Sequence, residues 1–270
     1  MSESRRMRPL LGTFVEIGAE ASSAQAQAAI SEAFAAIEQV QRSLSFQDPA
    51  SELSRLNASP GTWVAMSRSA LQVLRLARAM ADASAQRFNC TVGGQLVEWG
   101  LLPDHGCGRR LPVGHSGDID LRADAARLVR PVLVTLDGIA KGYAVDRAIH
   151  VLQRNGLSCA WVNAGGDLRV YGPRHLNVLR RSSAGFEDLA RLGNGAIASS
   201  RAGAQPDTER FPGRIVGACP SLPTDSVVSV AARRAWRADA LTKVAVAMPA
   251  SQRQRIVTQL GGALLRAGTC

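Results

Sequence analysis

At 270 residues and 46% hydrophobic content, the chain is long enough to bury a sizeable core in one large domain or two lobes. Its net charge of +10, carried mostly by arginine, favours polyanions in general, a dinucleotide's pyrophosphate among them. No run approaches the roughly 20 apolar residues that span a bilayer, and no helix-turn-helix, RNP or zinc-finger pattern supports nucleic acid as a partner.

The N-terminal stretch Met1 to Arg8 is basic, but no long apolar h-region follows it, so a cytoplasmic location is expected. Leu11-Gly12-Thr13-Phe14-Val15-Glu16-Ile17 is β-prone and begins the fold. From Ser23 to Leu44, Ile30, Phe34, Ile37, Val40 and Leu44 recur on one face, which predicts an amphipathic helix. Asp48-Pro49 marks a turn, and Ser51-Glu52 the start of a short helix. A Leu- and Ala-rich helix is predicted from Ser67 to about Ala85, then the segment Arg87-Phe88-Asn89-Cys90-Thr91-Val92-Gly93-Gly94. From Leu102 to His115 the chain is rich in proline and glycine and reads as a loop. The five cysteines are scattered, odd in number and without a CxxC pair, so reduced thiols are expected and a thiolate zinc centre is not.

The stretch from Val132 to Gly172 organises the rest. Val132 to Leu136 reads as a strand that stops at Asp137-Gly138, and a helix follows with Val145, Ala148, Ile149 and Leu152 on one face before Asn155-Gly156 ends it. Unpaired N–H groups at such a helix start suit a phosphate, with Lys141 as its ligand and Tyr143 as a stacking surface. Asp146, about one turn on, fits an interaction with a helix's first turn or a structural ion pair. Two short strands then flank Asn163-Ala164-Gly165-Gly166-Asp167, whose glycines allow positive φ and close backbone approach. A further strand is predicted at Ser226–Val230, and Asp239 reads locally as the N-cap of a helix from Ala240 to Met248.

The pair IAKGYAVD and NAGGD, with LGTFVEI, LSFQDPASELSRLN, RFNCTVGGQLVEWG and ADALTK in order, resembles the ApbE family, the FAD:protein FMN transferases. The resemblance implies an α+β fold of mostly antiparallel sheets flanked by helices, as one domain over 1–270 or two lobes with a flavin site between them. It implies that FAD meets Leu11 (where the family usually has methionine), Gln47 (often tyrosine), Arg87, Phe88, Asn89 (aspartate in the family), Asp137, Lys141, Tyr143 and Ile215. It implies Mg²⁺ on the Ala140 carbonyl, Asp239 and Thr242, with Lys243 where the family has threonine. That lysine either supplies the positive charge itself or points away and leaves a weak metal. The family's His-x-x-Asp-Pro loop is replaced by Gly213-Arg214-Ile215-Val216-Gly217-Ala218-Cys219-Pro220, where Arg214 can neutralise phosphate charge but cannot act as a base. No catalytic acid or base is assigned.

The expected function is Mg²⁺-assisted transfer of FMN from FAD to a serine or threonine hydroxyl of an acceptor protein. The alternative is a catalytically impaired FAD-binding protein that carries flavin or regulates. A nucleic-acid binder rests on charge alone and ranks last.

Overall fold

Alternating small and branched residues build a seven-stranded antiparallel sheet, which the helices cover on one face. The computed structural model describes residues 3–21, 24–106, 108–182, 185–202, 215–222 and 226–265. The sheet comprises β1 (Ser4–Leu10), β2 (Thr13–Ala19), β6 (Ala160–Ala164), β7 (Asp167–Tyr171), β10 (Gly195–Ala202), β11 (Ser226–Ala232) and β12 (Gly262–Leu265), hydrogen-bonded in that spatial order. A small sheet pairs β3 (Val64–Ala65), β5 (Ala125–Leu128) and β4 (Ile119–Leu121), and β8 (Leu176–Ser182) pairs with β9 (Gly185–Leu192). The helices are α1 (Ala24–Leu44), α2 (Glu52–Ala58), α3 (Arg68–Ala83), α4 (Gly93–Glu98), α5 (Ala140–Arg154), α6 (Ala235–Val246) and α7 (Ala250–Gln259). The class is α+β, as expected.

Side chains alternate across a strand, and that parity sorts the two faces. Val15, Ile17, Val162, Tyr171, Ala196, Ala198 and Val230 join the core under α1, α5 and α6. Trp161, Leu168, Val170 and Ile197 point the other way, against Leu189 and Leu192 of the β8–β9 hairpin. By the same parity Asp167, Arg169 and Ser200 lie on the helix-covered face, where polar groups need partners. The apolar face foreseen for α1 is buried throughout, and α2 and α3 are capped by the Ser51 and Ser67 hydroxyls. Ser23, the expected start of α1, lies outside the described residues.

Three expectations are corrected, the first being that the fold begins at Leu11: β1 (Ser4–Leu10) precedes that segment and pairs with β2. Val132 to Leu136 is buried but is not a strand. The Asn57 side-chain amide takes the place of a neighbouring strand, accepting from Val134 N–H at 2.8 Å and donating to the Val134 carbonyl at 2.9 Å. Thr135 N–H bonds the Cys90 carbonyl at 2.8 Å, and Gly93 N–H bonds the Leu133 carbonyl at 2.9 Å. Side chains and loops therefore complete the backbone accounting that a ladder would otherwise supply.

Likewise, Asp239 is not an N-cap. Helix α6 starts at Ala235, because a remote carboxylate caps it: Asp146 of α5 accepts from Ala235 N–H at 3.2 Å and Trp236 N–H at 3.0 Å. The same carboxylate pairs with Arg169 of β7 in the interior. Asp146 thus ties α5, α6 and the sheet together. Asp146→Ala would leave the Arg169 guanidinium buried without its counter-ion and is expected to cost about 3–5 kcal/mol. Urea denaturation followed by circular dichroism checks this, and an unshifted midpoint would refute the role.

Candidate active site

Helices α5 and α6 meet at their N-terminal ends with almost no space between them. A Cβ on Gly142 would stand 2.4 Å from the Ala235 carbonyl oxygen and 2.7 Å from Trp236 Cα, so only glycine fits there. The contact brings Gly142 N–H to Asp239 Oδ2 at 3.2 Å, with Asp239 fully buried one turn into α6. Ala140 N–H bonds the Leu136 carbonyl at 2.7 Å. Two first-turn donors of α5 that a phosphate could have used therefore already have protein partners.

Lys243 completes this junction. Its Nζ donates to Asp239 Oδ1 at 2.5 Å and to Ser200 Oγ at 3.0 Å. Ser200 Oγ lies 2.6 Å from Thr242 Oγ1, which donates to the Asp239 carbonyl at 2.7 Å. Because the ammonium only donates and Thr242 spends its proton on that carbonyl, the Ser200 hydroxyl must donate to Thr242. The hydrogens are thus ordered around a closed loop that starts and ends at Asp239. The lysine stem passes the Asp137-Gly138 turn, within 3.5 Å of where a Gly138 Cβ would be, and Phe88 backs the same glycine.

Charge at the junction is shared among several groups. Burial opposes the Lys243 charge, but Asp239, Asp167 and Asp137 outweigh it and raise its pKa. Desolvation pushes the Asp167 carboxyl up to about 7, reinforced by the Asp239 charge and moderated by Lys141 and Lys243. Its Oδ2 is buried without a hydrogen-bond partner among the described residues. Asp137 stands on the rim: its surface is open to solvent, yet surrounding protein raises its pKa, against the Thr135 hydroxyl and Lys141. Solvent on that side tempers the shift.

The structure gathers Asp137, Ala140, Lys141, Asp239, Thr242 and Phe88 at this junction. Leu11 lies in the β1–β2 turn at φ 56°, its N–H bonded to Gln41 Oε1 at 2.7 Å. That turn borders a recess of about 350 Å³ with Phe14 on its wall. Thr13 touches the space above Gly165, which sets this turn beside the β6–β7 turn that carries Asp167. Ile215 packs on the core edge, and the Arg87 charge reaches Cys219 in the same segment. Gln47 is exposed while the neighbouring Phe46 is buried beside the His105 ring. Asn89 spends its amide within the protein, accepting from Thr91 N–H at 2.8 Å and donating to the Gly114 carbonyl of a separate segment at 2.9 Å. Tyr143 is 8% exposed, with its hydroxyl 3.3 Å from Ser69 Oγ, so its ring is in the interior. Arg214 lies outside the described residues.

Ser200, Gly142 and Asp167 were not singled out as site residues from the sequence. The signal for Ser200 and Asp167 was strand parity, which places both on the helix-covered face once β7 and β10 are aligned.

The sequence matches the model of the ApbE family over residues 11–265. The chain belongs to the ApbE family. The FAD:protein FMN transferase of Treponema pallidum (strain Nichols) is 27% identical over 194 residues, 65% of this chain and 54% of that protein. The chain therefore matches about half the length of that relative. Among solved structures, an ApbE protein from Thermotoga maritima superposes with a TM-score of 0.80 at 22% identity, covering 98% of this chain and 94% of the other. A mutant of the flavin transferase ApbE from Vibrio cholerae gives 0.80 at 21% identity, covering 100% and 98%. These structural likenesses establish the ApbE fold.

The junction can be tested as a Mg²⁺ site on its own atoms. Mg²⁺ needs hard oxygens free to enter a tight octahedron. Here Asp239 Oδ1 holds an ammonium, Oδ2 accepts from Gly142, and Thr242 Oγ1 accepts from the Ser200 hydroxyl. A dication on Asp239 would have to sit against a bound monocation. The arrangement suits lysine and does not fit the metal.

Two outcomes are expected. Gly142→Ala forces a methyl onto the α6 backbone and should cost about 1–3 kcal/mol by thermal melting; an unchanged melting temperature would show that the helices have room. Folded Asp167 keeps its proton up to about pH 7, whereas the unfolded side chain loses it near 3.8. Between those values the folded state binds the extra proton, so stability falls as pH rises. From about pH 4 to pH 8 the wild type should lose up to about 4 kcal/mol more than Asp167→Asn. Parallel stability curves for the two proteins would contradict this.

Proposed function

We propose that this chain is an FAD:protein FMN transferase that moves FMN from FAD to a serine or threonine hydroxyl of an acceptor protein. The observation that carries the reading is the pair Lys141 and Lys243 at the α5–α6 junction of an ApbE-family fold. In the reaction the acceptor oxygen forms a bond to the FMN phosphorus. The bond from that phosphorus to the bridging oxygen breaks, AMP leaves with the electron pair, and the hydroxyl proton passes to a base or to water. Negative charge grows on the phosphoryl oxygens and the leaving phosphate, where fixed cations are most effective. Lys141 at the start of α5 and Lys243 behind the Asp137-Gly138 turn serve that role. The apolar recess beside Leu11 and Phe14 suits a flavin ring.

Mg²⁺ assistance, with Ala140, Asp239 and Thr242 as ligands, is the expectation that the family resemblance brings. No step is routed through it here because Lys243 occupies Asp239. A cytoplasmic location belongs to the same reading: no helix of the described residues is long and apolar enough to cross a membrane, and Cys90, Cys159 and Cys219 are free thiols.

A second reading, an FAD carrier without transfer, is favoured by the histidines. His105 bonds the Phe46 carbonyl, His115 caps residues 116–118, His150 is exposed on α5, and His175 packs on Gly193. None replaces the histidine of the family's loop motif.

The test incubates purified protein with FAD and an acceptor that carries a flavinylation motif. FMN mass on the acceptor with matching AMP release is expected. Asp239→Ala, which releases Lys243 and Gly142 together, should lower the rate about 100-fold or more. Tight FAD binding with no AMP released would favour the carrier, and no FAD binding would remove both readings.

A further inference from the structure

We propose that Lys243 is the resident cation of this site, so that the chain engages a pyrophosphate without a divalent metal. The inference rests on the FAD reading above and narrows it to a metal-independent form. Three observations converge on the lysine. Its ammonium sits on Asp239 Oδ1 at 2.5 Å, and Ser200 Oγ at 3.0 Å fixes a second N–H. An ammonium has three N–H groups, of which Asp239 and Ser200 account for two, and the side chain as a whole is 20% exposed. The loop through Ser200, Thr242 and the Asp239 carbonyl holds the head group in one place.

The surroundings are arranged for a cation that stays. Asp167 and Asp137 stabilise the charge from the side facing β7 and the rim. The stem lies against Gly138, with Lys243 Cγ and Cε each 3.5 Å from where a Cβ would stand, an ordinary packing distance. A tethered ammonium needs no dehydration from bulk solvent and cannot exchange, unlike Mg²⁺, which gives up its waters reluctantly. It brings one positive charge rather than two, and Lys141 across Asp137 and Asp167 supplies another.

The experiment measures FAD binding by flavin fluorescence in EDTA and in millimolar MgCl₂, on the native chain first. Wild-type dissociation constants should agree within about twofold. Lys243→Thr should weaken binding about tenfold in EDTA and regain it with Mg²⁺, while Lys243→Met should stay weak in both buffers. In parallel, Mn²⁺ titration followed by EPR should show a bound ion with Lys243→Thr and none with wild type. FAD binding by the wild type that requires Mg²⁺, or a stoichiometric Mn²⁺ site in it, overturns the proposal. The wild-type comparison needs no variant to fold. Should the native chain bind no FAD in either buffer, the flavin reading and the pyrophosphate part of the proposal both fail. The Mn²⁺ comparison then still decides whether Lys243 fills the cation position.

Discussion

The close approach of α5 and α6 is the constraint on which the rest of the site depends. It requires Gly142, whose missing side chain lets the Ala235 carbonyl and Trp236 Cα into van der Waals range. Close packing alone would leave the first-turn N–H groups of α6 buried without partners, at a cost comparable to a lost hydrogen bond each. Asp146 meets that cost from α5, and Arg169 of β7 in turn balances its charge. Burial raises the Asp146 carboxyl's pKa, opposed by Arg169 and the two N–H groups, so the carboxylate depends on all three partners. One side chain therefore sets the start of a helix, its distance from a second helix and its seating on the sheet.

Asp239 inherits its place from that geometry. With α6 beginning at Ala235, Asp239, Thr242 and Lys243 fall on the second and third turns, facing Gly142 and Ser200. Had α6 begun at Ala240, Asp239 would have been an exposed cap instead of a buried carboxylate. Because it is buried, its charge needs a partner of opposite sign within reach. Lys243 at i+4 provides one directly on the same helix. The lysine is thus the local electrostatic answer to a buried aspartate, where other arrangements would use a dication.

Much of this was legible in the sequence, for identifiable reasons. Amphipathic periodicity located α1 and the body of α5, and the glycine pair located the β6–β7 turn, in which Gly165 and Gly166 both take positive φ. Signals failed where a partner distant in sequence decided the outcome. Val132 to Leu136 has a strand's composition, but Asn57, 77 residues away, occupies its hydrogen-bonding groups. The start of α6 was misplaced because its cap is Asp146, 89 residues before Ala235. The first strand was missed because Arg5, Arg6 and Arg8 hide its pattern; Arg5 pairs with Glu16, and Arg8 with Glu38. The motifs pointed to Asp239 and Lys141, which the fold places at the α5–α6 junction, yet they could not say which way Lys243 points. That depended on Ser200, which only strand pairing brings near.

The polar face of the sheet shows how charge is kept apart from structure. Arg169 and Asp167 are two residues apart on β7 and share its helix-covered face. Arg169 has Asp146 as its counter-ion although its Nε is buried without a hydrogen bond, whereas Asp167 has no such ion pair among the described residues, a buried oxygen without a partner there, and a pKa near neutrality. A buried carboxyl in that state costs folding stability, and such groups concentrate at functional sites. Lys141 and Lys243 approach it from opposite helices without bonding it, leaving its protonation state responsive to whatever enters between them. An anion drawn in by the two lysines would raise the cost of the Asp167 charge and favour its protonated form. The junction therefore combines a rigid half, fixed by Asp146, with a half whose charge state adjusts to its occupant.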